Sequence, residues 1–174
     1  MDWRERIRNL WVERMVWTRH YIISLMMGLR DLSFVATRAL RNGAEFGQVL
    51  AGLYGTHIGV RFENAFTQHV LILSELASTA RTGADISVLE PAWTANAESM
   101  IGLLLEMNPN WVHEEWRTII YDQFRIEVEL IHQLKQDRYA EGIEQFDRAH
   151  DNALRIARKM VEEIELQFSQ MNMV

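Results

Sequence analysis

Three side chains in this sequence carry donors suited to a buried metal ion: Glu13, His69 and His150. Imidazole nitrogens and a carboxylate together suit iron, manganese or zinc. Asn96, Gln123 and Glu127 are the candidates for holding a small polar ligand, or for orienting the metal-binding groups by hydrogen bonds. Each of these six lies on or beside an apolar stripe of helical period. His69 is the sharpest case, because it interrupts Phe62, Phe66, Leu73, Leu76 and Ala80, a stripe that steps by three and four residues. Leucine would serve packing alone at that position. A buried imidazole instead requires partners for both ring nitrogens, so the surrounding helices must supply them.

The elements that would position these groups can be read in order. A first helix is expected from Trp3 to about Gly28, with Trp3, Ile7, Leu10, Trp17 and Tyr21 on its stripe. Asp31 or Ser33 can cap the next helical segment. Phe34–Arg41 and Ala44–Leu53 read as short helices separated by the turn signal Asn42-Gly43. Long helices then cover about His57–Arg81, Pro91 to before Asn108-Pro109, Val112–Gln136 and Tyr139–Phe168. Ser169–Val174 is expected to fray. No segment alternates with period two, so no strand is expected. The predicted fold is all-α: an antiparallel up-and-down bundle of about five long helices with a short two-helix insertion at residues 34–53, ferritin-like in general character. The 174 residues suit one domain spanning 1–174.

Heights within such a bundle follow from folding each helix back about its turn, at a rise of about 1.5 Å per residue. Asn96 then lies level with Gln123, and His150 level with Phe124. Glu13 falls level with roughly Ile72, one turn from His69. The polar residues therefore gather into one layer near mid-height. Two readings of that layer stand. It lines a site for a divalent transition metal or a small polar ligand, or it is a hydrogen-bond network that only fixes helix register in a non-enzymatic structural or interaction bundle.

Other features narrow the function. Glu129-x-x-His132 resembles half of a di-iron signature, but it occurs once and sits off the stripe, so a solvated face is expected. There is no phosphate-cradling glycine loop or nucleophile elbow. The chain has no cysteine, which excludes thiol chemistry. Its net charge of −6 is spread along the chain, which argues against a nucleic-acid partner. Charges recur through Met1–Arg8, so no secretory signal is expected there, and no apolar run is long enough for a bilayer. A cytoplasmic protein without a membrane partner is the expectation, with a homodimer left open.

The segments LWVERMVWTRHYIIS, Leu53-Tyr54-Gly55, the helix around His69, WTANAESM, NPNW and WRTIIYDQ resemble a family of small bacterial helical-bundle proteins from Bacillus-like and clostridial genomes. Its members are often labelled automatically as acetylglutamate kinase. That label does not suit this sequence, which lacks the alternating strands and glycine-rich loops of an amino-acid kinase. The resemblance implies histidines at the positions of Glu13, His69 and Gln123 and an asparagine at Asn96. This chain keeps His69 and Asn96.

Overall fold

The computed structural model describes residues 2–171, with side chains through Ser169. Among them are six α-helices and no strand: α1 (Trp3–Met27), α2 (Leu32–Tyr54), α3 (Thr56–Thr82), α4 (Glu90–Met107), α5 (His113–Lys135) and α6 (Tyr139–Met171). A short 3-10 turn, Ile86–Leu89, leads into α4, with Asp85 accepting from the Ser87 amide at its start. Pro91 lies in the first turn of α4, where its missing N–H costs nothing. Gly28 and Gly83 end α1 and α3 in the left-handed conformation that glycine adopts without a Cβ penalty. Residues 172–174, within the stretch expected to fray, lie outside the described residues.

The expected insertion is corrected. Residues 34–53 belong to one continuous helix, and Asn42 and Gly43 are buried in its middle. The Asn42 amide donates to the Leu10 carbonyl of α1 at 3.0 Å, so its hydrogen bond is made across helices rather than to its own backbone. Gly43 lets α3 come close: a Cβ there would sit 3.0 Å from the Cβ of Phe66. Further along the same face a Cβ on Gly47 would lie 2.7 Å from the Gly59 carbonyl oxygen. Tertiary packing thus outweighs the local turn preference of Asn-Gly.

The helices run alternately up and down. α2 folds back on α1 and α3, α4 bridges α3 and α5, and α6 closes against α5 and α1. Helices α1, α3 and α5 meet in the interior. The apolar core divides into two clusters. One holds Trp11, Phe46, Phe62, Phe66, Trp116 and Ile164, and the other holds Ile22, Leu73, Leu76, Ala77 and Ile131. Phe46 stacks on Phe66 at a centroid distance of 5.3 Å, with Trp11 edge-on to Phe46 at 5.1 Å. No helix among the described residues is long and apolar enough to cross a membrane.

Candidate functional site

The boundary between the two apolar clusters is polar, and Glu127 is its centre. Helix α5 presents Glu127 inward because it falls on the stripe of Trp116, Ile120, Gln123 and Leu130. His69, from the inward face of α3, donates from Nε2 to Glu127 Oε2 at 2.6 Å. Gln123, one turn earlier on α5, donates from Nε2 to Glu127 Oε1 at 3.1 Å. Asn152 of α6 in turn donates to Gln123 Oε1 at 3.1 Å and to the Ile119 carbonyl at 3.2 Å. The Gln123 amide nitrogen also lies 2.8 Å from Met15 Sδ of α1. Arg14 of α1 completes the layer: its guanidinium lies 4.0 Å from the centroid of the Phe66 ring, and its charge acts on Glu127. Arg14, His69, Gln123 and Glu127 are each no more than 3 % exposed.

Burial alone would raise the pKa of the Glu127 carboxyl. The charge and hydrogen bond of His69, the charge of Arg14 and the Gln123 amide outweigh it, so the carboxyl is held below its ordinary value of 4.5. Burial pushes Arg14 down to about 10 against the opposing pull of Glu127, which leaves it charged at neutral pH. A carboxylate can only accept, so the short His69 contact fixes Nε2 as the donor. The imidazole leans on the Phe124 ring with centroids 4.1 Å apart, and its Nδ1 is buried without a protein partner. One small cavity reaches Glu127 from the seam of α1, α5 and α6, past Thr18, Arg19 and Gln145. Its volume is about 10 Å³, on the order of a single water molecule.

Of the residues singled out in the sequence, the structure brings His69, Gln123 and Glu127 together. Asn96 is buried beside them in α4, but its amide donates to the Ala65 carbonyl at 3.0 Å. Glu13 turns to the surface, where it accepts from Arg38 at 2.8 Å. His150 also faces outward: its side chain is 41 % exposed and lies 3.8 Å from Asp151. Arg14, Met15 and Asn152 belong to the layer without having been singled out. Among the described residues no three His, Cys, Asp or Glu side chains gather as a metal would require.

Glu129 and His132 do not join the layer. Glu129 accepts from Gln133 and pairs with Arg138, in keeping with a solvated face. Comparison with protein-family models, curated proteins and solved structures finds no match for this chain.

Proposed function

We propose that this is a non-enzymatic helical interaction bundle, whose Arg14–Glu127–His69 layer fixes the register of the helices that present its outer faces. The observation that carries this reading is the engagement of both Glu127 oxygens by side chains of the layer. One carboxylate oxygen accepts from His69, the other from Gln123, and Arg14 supplies the balancing charge. That arrangement engages both oxygens within the protein, and the cavity beside it admits little more than a water molecule. A polar layer of this kind penalises sliding of one helix past another, because any shift by a turn strands a buried charge. Here it ties α1, α3, α5 and α6 at one height.

A second reading, a metal or small-ligand centre, rests on the unpartnered Nδ1 of His69. Iron, manganese or zinc at that nitrogen would leave the Nε2–Glu127 hydrogen bond in place, but no three ligating side chains gather there among the described residues, and the charge of Arg14 opposes a cation. The test is a set of melting curves for the wild type and His69→Leu, each with and without these divalent ions. The wild type should melt at the same temperature with every ion. His69→Leu should melt lower in all of them, because a hydrogen bond to a charged group contributes about 1.5–3 kcal/mol. A metal-dependent rise in the wild type that vanishes in His69→Leu would overturn the register reading and establish the second.

A further inference from the structure

Helices α3 and α4 leave a groove of about 620 Å³ on the outside of the bundle. Its α4 wall is built from small exposed residues, Ala92, Ala95 and Ser99. Gly102 continues that exposed face, and a Cβ there would meet nothing within 4 Å. A mid-helix glycine costs about 1 kcal/mol relative to alanine, and nothing among the described residues needs its missing side chain. At the groove floor Asn96 is only 7 % exposed. Its amide nitrogen is spent on the Ala65 carbonyl, while its Oδ1 has no protein partner. An unpaired acceptor buried at the floor of a groove walled by small residues is the kind of surface a partner covers.

The α3 wall shows what that is. Arg61, Gln68 and Glu75 line the groove at intervals of seven residues, with Leu71 exposed between them at 53 %. The row is basic at one end, acidic at the other, and centred on an amide. Glu75 is exposed and makes no ion pair with the described residues, whereas Arg61 is held by Glu106 at 2.5 Å. A surface with this pattern is complementary to itself under a two-fold rotation about Gln68.

We propose that the α3–α4 groove is the docking surface for a second copy of this chain, packed antiparallel along α3. The rotation sets Arg61 against the partner's Glu75 and Glu75 against the partner's Arg61. Leu71 then packs over the small residues, and the amides of Gln68 lie over the groove floor at Asn96. Charge self-complementarity selects a second copy over an unrelated amphipathic helix, which would need no such symmetry.

The experiment is sedimentation equilibrium on the full chain over a concentration series. The wild type should show twice the chain mass. Ala95→Trp, on an exposed position, should be monomeric while keeping the helical circular-dichroism spectrum of the wild type. Glu75→Lys sets like charges together at both contacts, as does Arg61→Glu, and each should weaken the dimer roughly tenfold or more. Mixing these two variants pairs unlike charges again and should restore the double mass. A wild-type monomer throughout, or a dimer indifferent to Ala95→Trp and to both charge variants, would overturn the proposal. The variants leave the buried layer untouched, so their failure is separate from that of the register reading.

Discussion

Arg14 and Glu127, opposite charges in the buried layer without direct contact, provide its most direct perturbation. Arg14→Met keeps an unbranched stem in the same space and leaves Glu127 with His69 and Gln123 alone. Removing one partner of a buried pair costs about 3–5 kcal/mol. Loss of the contact with Phe66 adds about 0.5–2 kcal/mol, and relief of the buried guanidinium works in the opposite direction. The lower end, about 3 kcal/mol, is therefore expected for the single variant. Glu127→Gln preserves shape and strands Arg14 instead, at a similar cost of about 3 kcal/mol.

Arg14→Met with Glu127→Gln strands neither charge. The double variant should cost about 3 kcal/mol rather than about 6, a coupling near 3 kcal/mol, high for residues acting on each other. Guanidinium denaturation followed by far-ultraviolet circular dichroism measures all four proteins. For a chain of this length, 3 kcal/mol corresponds to a melting shift of about 6–12 °C. In Arg14→Met, loss of the guanidinium charge raises the pKa of the Glu127 carboxyl relative to wild type, so acidification should narrow the gap between the two. If the two single costs add to within about 0.5 kcal/mol in the double variant, the charges do not compensate each other and the reasoning fails.

Two further outcomes rest on packing and charge. Gly59→Ala would drive a Cβ into the Gly47 carbonyl and the Ala51 side chain, so thermal melts should show a loss of about 1–3 kcal/mol. Gly52→Ala, which meets open space, should instead gain about 0.5–1 kcal/mol, and equal effects at the two glycines would contradict the close approach of α2 and α3. The depressed carboxyl of Glu127 contributes stability that is present above its ordinary value of 4.5 and lost as pH falls through the lower folded value. The gap in melting temperature between wild type and Glu127→Gln should therefore shrink on acidification, and a gap constant from neutral pH into that range would refute the assignment.

Heights across the α4–α5 and α5–α6 turns were legible in the sequence, but those of α1 and α3, and the directions of the side chains, were less so. Glu98 hydrogen-bonded to Tyr121 and Lys159 paired with Glu115 match the levels expected from folding α4, α5 and α6 about their turns. Glu13 is placed by folding its helix straight back onto α3, but the full-length α2 makes α1 and α3 run parallel, and Arg14, over the Phe66 ring, is the residue that points inward there. One residue along a helix turns a side chain by about 100°, so a small angular error selects the wrong neighbour. The stripe itself held the correction. Position 14 lies seven after Ile7 and four after Leu10, and the buried Thr18 lies four beyond it. Residue type masked the period, because an arginine is seldom buried without a partner and its partner lies on another helix. On α6 the same error puts His150 on the stripe, where the structure buries Ala149, Asn152 and Ala153.

The Asn42-Gly43 reading failed for a related reason. Local turn chemistry is decided within four residues, whereas the use made of these two side chains depends on Leu10 in α1 and Phe66 in α3. A buried asparagine bonded to a carbonyl and a glycine under an aromatic Cβ are both functions of neighbours distant in sequence. The apolar period is local and survives in any single helix, so fold class can be read from it. Compensation between charges is a property of pairs, and a chain read one helix at a time shows each member only as an exception to its stripe. Arg14, His69 and Glu127 are three such exceptions on three helices, and only their packing shows that they answer one another.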